Sequence, residues 1–307
     1  MKEVINLKKE NIDEFATAYA RSFPEIKLNR EKMAEHILNK FGKSGDRSLP
    51  IVCLETNEGT VSAGYGVIRK NYRNGSHLLR VGLVCDVFTD PNFRKQGLFK
   101  RISLLAIARE EKENVDFLIG FPIREGVMPG HLSVGWKHIF NMHIWWSFPS
   151  VGSFKNTKKL TPGDELNFKV APKKIQLTQT NLEIQARNNL HGNRYYIGRG
   201  ESDEDFILFT KKIINGIPLI AIVYIQSSNA SNTKILIKMC RKYALRWGAL
   251  AVVGCWNDTY AKDLFLSKAG MRKSARFQKV IVRGLSNYQV PGKENEYRLS
   301  WLDSDTL

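Results

Sequence analysis

Residues 86–99, Asp-Val-Phe-Thr-Asp-Pro-Asn-Phe-Arg-Lys-Gln-Gly-Leu-Phe, have the composition and spacing most able to support chemistry. They predict a strand, a turn and the start of a helix. The first amides of a helix lack helical partners and carry the positive end of the helix dipole. Gly97 allows close approach to the backbone, and Arg94 and Lys95 add positive charge. The segment indicates a cradle for a pyrophosphate, although an ordinary connection between a strand and a helix has the same pattern.

The elements that must position this loop follow from the spacing of apolar residues. In the first half, the predicted strands are 4–7, 50–54, 61–69, 78–88, 117–121 and 139–148. The predicted helices of that half begin at residue 11 or span 30–41, 98–109 and 129–135. In the second half, the predicted strands are 206–210, 217–226, 249–256 and 276–282, with helices at 234–247 and 261–269. The pattern predicts an α/β fold.

The length of 307 residues favours two domains. We expect the first over residues 1–150, a linker or long loop over 151–175, and the second over 176–307. The two halves match in spacing: Phe121 lies fourteen residues before Gly135, and Trp256 lies fourteen before Gly270. In both halves a helix precedes the strand that ends this way. The match favours an internal duplication.

The chain is strongly basic, with 47 Lys and Arg against 30 Asp and Glu and a net charge of +17. Residues 1–150 hold 22 basic and 17 acidic side chains, whereas residues 151–307 hold 25 and 13. Such a surface attracts anions, which include nucleic acid, a phosphorylated cofactor, a nucleotide-linked metabolite and an acidic protein. The alternative is that the charge serves solubility alone.

Composition excludes several classes of protein. A hydrophobic fraction of 43% with 25% charged residues is a globular balance and excludes general disorder. The longest apolar run, 217–225, is too short to span a bilayer, and the first residues have no signal-peptide pattern. We therefore expect a soluble, cytoplasmic protein without membrane contact. The four cysteines form no Cys-x-x-Cys pair, and His138 and His143 lie five apart, so we expect buried thiols and no metal site.

The loop resembles motif A of the GNAT superfamily, N-acyltransferases that use acyl-CoA, whose signature is Arg/Gln-x-x-Gly-x-Gly/Ala. Arg94 and Gly97 fit the signature, and residues 90–93, Asp-Pro-Asn-Phe, fit the turn before it. Phe99 replaces the final Gly or Ala, as in members related to polysaccharide-pathway acyltransferases. The resemblance implies an α/β fold of two tandem GNAT-like domains, each a mixed, mainly antiparallel sheet flanked by helices. The C-terminal domain resembles a degenerate copy, because residues 227–232 replace the phosphate loop and contain no glycine.

The resemblance also implies a donor site and a direct attack of an amine on a thioester. The donor would be acyl-CoA or the phosphopantetheine of an acyl carrier protein, and no metal is implied. Residues 87–89 would hold the pantetheine arm as an added strand, and an amide there would polarise the thioester carbonyl. The implied donor-binding residues are Val87, Phe88, Thr89, Arg94, Lys95, Gln96, Gly97, Leu98 and Phe99.

Two residues are candidates for proton transfer. Asp86 lies on the strand where the family often carries a carboxylate, so it is a candidate base, with a hydrogen-bonded structural role as the alternative. His131 lies four residues before Gly135, where many relatives carry a tyrosine thought to act as the acid. A histidine without a catalytic role at a helix start is the alternative. Ile123 replaces an asparagine that many relatives use to contact pantetheine.

We therefore expect an N-acyltransferase that acylates the primary amine of a small molecule. The basic second half and the resemblance to sugar-pathway enzymes favour a nucleotide-linked amino sugar as the acceptor. Lys95, Lys100 and Arg101 are candidates for docking an acyl carrier protein, with an ordinary solvated helix start as the alternative. A general acetyltransferase of aminoglycosides or polyamines is the enzymatic alternative. A nucleic-acid-binding protein is the other, but the sequence carries no recognisable nucleic-acid motif.

Overall fold

The chain divides into two compact units, each built from separate stretches of sequence. A computed structural model describes residues 1–26, 29–42, 48–151, 157–161, 164–169, 171–172, 174–178, 184, 194–202, 204–285 and 288–304. Unit 1 comprises Met1–Lys70, Leu79–His138 and Ile281–Val290. Unit 2 comprises Asn71–Leu78, Ile139–Val280 and Pro291–Leu307. This division differs from the contiguous blocks expected from the sequence, and part of the expected linker at 151–175 lies outside the described residues.

The fold is α/β, with mixed, mostly antiparallel strands flanked by helices, as the sequence predicts. The strands are β1 (Lys2–Ile5), β2 (Ile51–Glu55), β3 (Val61–Asn74), β4 (His77–Thr89), β5 (Phe117–Gly120), β6 (Lys137–Ser147), β7 (Thr157–Lys159), β8 (Ile175–Leu177), β9 (Tyr195–Arg199), β10 (Phe206–Ile214), β11 (Ile217–Gln226), β12 (Ala251–Asn257) and β13 (Arg272–Gly284). The helices are α1 (Ile12–Ser22), α2 (Arg30–Phe41), α3 (Leu98–Lys112), α4 (Met128–Ser133), α5 (Ala230–Arg246) and α6 (Asp258–Asp263).

The sheet of unit 1 has the order β1-β2-β3-β4-β5, followed by residues 281–284 of β13. Successive side chains of a strand point to opposite faces of the sheet. In β2 the side chains of residues 51–54 are apolar and buried on both faces. Ile51 and Cys53 pack in one core with α1 and α2. Val52 and Leu54 pack in a second core with α3. The sheet therefore lies between two helical layers, and β4 runs through its centre.

One pair of neighbouring strands in unit 1 is parallel, namely β4 and β5. A parallel pair needs a crossover connection, which α3 provides. Because α3 follows β4 after a short turn, its N-terminus lies close to the carboxyl end of β4. The fold thereby places the loop singled out in the sequence at the edge where α/β folds commonly bind ligands.

Unit 2 contains a similar arrangement of strands and helix. Its sheet has the order β6-β12-β11-β10-β9-β7, in which β11 and β12 are the parallel pair and α5 connects them. Antiparallel β6 lies beside β12, just as the end of β13 lies beside β5. Gly135 and Gly270 precede β6 and β13, and both have φ of +85°. The equal spacing seen in the sequence thus corresponds to equivalent backbone positions.

Helix α2 and strand β11 have the predicted bounds. The strand predicted to close the first domain, β6, instead pairs with β12 of unit 2. The predicted helix 261–269 is replaced by α6, which ends at Asp263, and Phe265 then adopts a φ of +52° that no helix continues through. Strands β7, β8 and β9 were not predicted, since two have only three residues.

All four cysteines are buried and free, as predicted. Burial raises the pKa of the Cys53 thiol to about 12, so this thiol stays protonated at neutral pH. Among the described residues, no helix has the length and apolarity needed to cross a membrane. The same residues include no group of three or more His, Cys, Asp or Glu placed to hold a metal ion.

Gly135 gives a test of the packing that completes unit 1. A Cβ at this position would collide with the guanidinium of Arg283, which donates a hydrogen bond to the Val134 carbonyl. Gly59 has a similar φ of +83° but open space around it. We expect Gly59→Ala to cost about 1 kcal/mol, from left-handed strain alone. Gly135→Ala should cost more, by about 1–3 kcal/mol, because the Arg283 guanidinium must move and its charged hydrogen bond is lost. Equal losses in urea unfolding would contradict this account.

Candidate functional site

The parallel strands of unit 1 separate at the end of β5. Their register runs from Val81 opposite Phe117 to Val84 opposite Gly120, where β5 ends. Strand β4 continues to Thr89, so its last five residues extend beyond β5. A strand that extends past its neighbour offers backbone N–H and C=O groups to an added extended chain. This segment contains residues 87–89, for which the resemblance implies contact with a pantetheine arm.

Asp86 holds the backbone at the point where the strands separate. It has a φ of +51°, a left-handed conformation that is strained for a residue with a side chain. Tyr19 Oη donates a hydrogen bond of 2.9 Å to Asp86 Oδ1, and Lys40 Nζ lies 2.8 Å from Oδ2. The side chains of Asp86 and Lys40 are only 9% and 11% exposed. Two helices thus anchor this carboxylate, and both of its oxygens already have a partner.

Tyr19 remains a donor in this cluster. Burial, and then the neighbouring Asp86 carboxylate, raise the pKa of the Tyr19 phenol. The hydroxyl therefore keeps its proton across the physiological range. These contacts hold the Asp86 carboxylate at the bend of β4.

In the three residues after Asp86, the backbone groups are more available to a ligand than the side chains are. Phe88 is buried and packs edge-on against Phe15 and Tyr19, with ring centroids 5.2 and 5.8 Å apart. Val87 packs against the core that contains α3. The Thr89 carbonyl accepts a hydrogen bond of 3.4 Å from Arg94 Nε. Because Phe88 is committed to the core, its contribution to a ligand site is restricted to the main chain.

The turn after β4 is fixed by a second buried carboxylate. Asp90 is fully buried and accepts hydrogen bonds of 2.7 Å from Arg21 Nε and 2.9 Å from the Asn92 N–H. Residues Pro91–Phe93 then form a single 3-10 turn. Sequence reasoning assigned no role to Arg21, Lys40 or Tyr19, because their partners lie on distant elements.

The loop before α3 brings exposed backbone amides together. Lys95 and Gly97 have φ of +65° and +71°, and residues 94–97 are exposed or partly exposed. Helix α3 begins at Leu98, and the described residues give it no side-chain cap. Its first internal hydrogen bond is donated by the Arg101 N–H to the Gly97 carbonyl, over 3.2 Å. The amides before Arg101 therefore lie outside the helical ladder, and the space beside the Gly97 Cα is open.

The charge around these amides is positive. Acidic side chains are favourable at helix N-termini, yet the first turn of α3 has none and carries Lys100 and Arg101 instead. Arg101 is offset by Glu3, with Nη2 2.7 Å from Oε1. Arg94, Lys95 and Lys100 are exposed. An anionic ligand would supply the negative charge that this terminus lacks.

Phe99 explains one departure from the GNAT signature. Its ring packs against Gly130, where a Cβ would come within 2.6 Å of a ring carbon. The ring also meets the His131 imidazole edge-on, with centroids 5.1 Å apart and planes at 90°. Phe99 therefore needs a glycine on α4 and connects the loop to His131.

His131 is brought next to the loop but is enclosed by aromatic rings. It is 5% exposed and lies between Phe99 and Trp136, whose ring centroid is 5.2 Å away. Its Nδ1 is buried with no hydrogen-bond partner among the described residues. Burial lowers the pKa of His131 to about 4, so the ring is neutral at physiological pH. A neutral imidazole can donate only a weakly acidic N–H.

In unit 2, a buried aspartate accepts the hydrogen bonds of the equivalent loop, which precedes α5. Asp205 is 1% exposed and accepts hydrogen bonds from the Ser228 N–H at 2.7 Å, from Ser228 Oγ at 2.8 Å and from Asn232 Nδ2. Asn229 caps α5 by accepting the Asn232 N–H at 2.9 Å. An internal anion thus occupies the neighbourhood of this helix start, in contrast to the open start of α3.

A family model matches the first part of the chain. Residues 3–139 match the family model described as an acetyltransferase (GNAT) domain. No curated protein matches the chain. The matched residues include the bend of β4, the loop and α4. They therefore carry the whole candidate site in unit 1.

Solved structures share the fold at low sequence identity. A GCN5-related N-acetyltransferase from Anabaena variabilis is 12% identical, with a TM-score of 0.65 over 93% of this chain and 73% of that one. One from Kribbella flavida is 11% identical, with a TM-score of 0.65 over 92% and 70%. Saccharomyces cerevisiae N-myristoyltransferase with bound myristoyl-CoA and inhibitors is 9% identical, with a TM-score of 0.61 over 100% and 86%. These similarities establish the fold.

The buried imidazole predicts a dependence of stability on pH. The pKa of His131 is about 4 in the folded protein against 6.5 for the free side chain. Between these values the unfolded chain binds more protons, so the free energy of unfolding falls as the pH drops. Because of this one group, the free energy of unfolding should fall by about 3 kcal/mol between pH 7.5 and pH 4. In urea unfolding, the free energy of unfolding of His131→Gln should fall less than that of the wild type over the same pH interval, and the difference should be about 3 kcal/mol. Equal losses in both proteins would contradict the burial of a neutral ring.

Proposed function

We propose that the protein transfers an acyl group from acyl-CoA to the primary amine of a small acceptor. The observation that carries this proposal is the uncapped, positively charged start of α3 beside the free end of β4. In the reaction, the amine nitrogen attacks the thioester carbonyl carbon, a C–N bond forms and the C–S bond breaks. The nitrogen loses a proton and the departing thiolate gains one, which leaves an amide and free CoA.

The donor is assigned to the loop and the end of β4. Amides of Lys95, Gln96, Gly97, Leu98 and Phe99, together with the Arg94 side chain, would bind the pyrophosphate. The backbone of residues 87–89 would hold the pantetheine arm, with one amide polarising the thioester carbonyl. The exposed end of β4 and the open space at Gly97 support this assignment.

Asp86 and His131 are the two titratable side chains considered for proton transfer. The contacts of Asp86 with Tyr19 and Lys40 favour a positioning role, through the bend of β4, over the role of base. His131 is kept as the candidate acid, which would act through a neutral ring N–H. Its contact with Phe99 places it beside the donor loop.

We further propose that unit 2 is a degenerate GNAT-like copy without a donor site. The parallel pair β11 and β12, the connecting α5 and the matched Gly135 and Gly270 support a duplication. The closure of its loop by Asp205 supports the loss of anion binding. The arrangement would leave one donor site for each chain.

The acceptor is proposed from charge. An excess of positive charge over residues 151–307 suits a nucleotide-linked amino sugar, whose phosphates are anionic. The cationic aminoglycosides and polyamines would be repelled by the same field. An acyl carrier protein remains the alternative donor, and it would meet Lys95 and Lys100 more readily than Arg101, since Glu3 offsets the last charge.

Replacement of Gly97 tests the donor site. A Val side chain would enter the open space beside the loop amides and block approach of the pyrophosphate. We expect Gly97→Val to weaken CoA binding at least tenfold, about 1.4 kcal/mol, in isothermal titration calorimetry. Gly59→Val is the matched control, because Gly59 is also left-handed and unobstructed but lies in a distant turn. Unchanged CoA affinity in a folded Gly97→Val protein would remove the loop from the proposal.

The number of CoA sites tests the difference between the two units. Titration of the wild-type chain should give one CoA per chain, because the Asp205 carboxylate repels a pyrophosphate from the start of α5. The Gly97→Val protein should keep no CoA site of wild-type affinity. Two similar sites in the wild type, or one undiminished site in the variant, would place donor binding in unit 2.

A further inference from the structure

One end of unit 2 exposes an unusual concentration of apolar side chains. We call it the apolar end, and it consists of Phe148, Ile213, Ile214, Ile217, Leu245 and Leu250. Ile213 is 69% exposed, Leu250 61% and Phe148 59%. Isolated exposed apolar residues are ordinary, but contiguous ones mark interaction surfaces.

These six residues come together because several elements end at the same edge. Ile214 pairs with Ile217 across a tight Asn-Gly turn, and Ile213 pairs with Pro218. The Leu250 N–H donates to the Pro218 carbonyl at 2.8 Å, which brings the start of β12 beside the hairpin. Ser147 lies opposite Val252, so Phe148 follows at the same edge. Leu245 lies in the last turn of α5, just before β12.

The hairpin tip is convex. Successive residues of a strand point to opposite faces, yet Ile213 and Ile214 are both exposed, at 69% and 43%. The tip therefore projects beyond the layers that cover the rest of the sheet. The half-buried Trp146 ring packs against Phe148, with ring centroids 4.9 Å apart. Trp is among the residues enriched at membrane interfaces.

The charged residues within the segments that form the apolar end are all basic. Lys211 and Lys212 precede the isoleucines on β10, and Arg241, Lys242 and Arg246 lie in the last turns of α5. Residues 139–151, 194–200, 206–226 and 230–257 contain no Asp or Glu. A second copy of this surface would bring like charges together, so self-association through it is disfavoured.

We propose that the apolar end docks on the surface of an anionic lipid bilayer. Aliphatic and aromatic tips enter the headgroup boundary while the bordering Lys and Arg meet anionic headgroups. Such docking needs no membrane-spanning segment. It departs from the expectation of no membrane contact, which rested on the short apolar runs of the sequence. It extends beyond acyl transfer and does not depend on it.

Vesicle sedimentation with the full chain tests the proposal. Vesicles of phosphatidylcholine alone are compared with vesicles containing phosphatidylglycerol at about 30%. The wild type should bind the anionic vesicles, and binding should fall as salt rises. The double substitution Ile213→Ser with Ile214→Ser should weaken binding at least about tenfold, since two aliphatic side chains no longer leave water. Leu78→Ser is the control, because Leu78 is 61% exposed on another hairpin.

Charge and fold are tested separately. Lys211→Glu with Lys212→Glu should also weaken binding to anionic vesicles, while thermal unfolding confirms that each variant is folded. Failure of the wild type to bind anionic vesicles, or equal binding by the isoleucine variant, would overturn the proposal. Equal binding to neutral vesicles would overturn the requirement for anionic lipid. A dimer in sedimentation velocity that the isoleucine variant abolishes, without vesicle binding, would assign the surface to a second copy instead.

Discussion

Neighbouring parallel strands cannot be joined by a hairpin, and this constraint determines where each unit places the start of its connecting helix. The connection between β4 and β5 must cross over, so α3 starts just after β4 and points its free amides toward the end of the strand. The connection between β11 and β12 through α5 obeys the same rule. The two starts differ in what surrounds them. At α3 the loop is open and basic, whereas at α5 the buried Asp205 supplies the negative charge from within.

The opening beside β5 depends on charges that are expensive to bury. Asp86 and Lys40 lose most of their hydration, and an ion pair in such a place is tolerated only when its geometry is good. Asp90 and Arg21 form a second pair a few residues further along. Together they hold the end of β4 against α1 and α2 without any ligand. The backbone amides of this segment are therefore fixed in advance, which is what electrostatic stabilisation of a developing charge requires.

Local sequence was sufficient for most of the longer elements and for the loop, because helical spacing, apolar runs and a glycine at a left-handed position are local properties. It was insufficient for the contacts that shape the site. Tyr19 and Asp86 are separated by 67 positions, and no spacing rule joins them. The two compact units combine separate stretches of sequence for the same reason, since strand partners are chosen across the chain. His131 was identified by its position, but its neutral state follows from the rings around it, which only the fold reveals.

The last strand of unit 1 is synthesised long after the strand with which it pairs. Residues 281–284 pair with β5, which the ribosome completes roughly 160 residues earlier. At about 5–20 residues per second, β5 waits roughly 8–30 seconds for its partner. Phe117, Leu118 and Ile119 are fully buried in the complete protein. Until residues 281–284 arrive, their strand would form an open sheet edge, whose backbone groups can pair with another chain. A nascent polypeptide of this protein is thus most vulnerable to aggregation while its second half is still being translated.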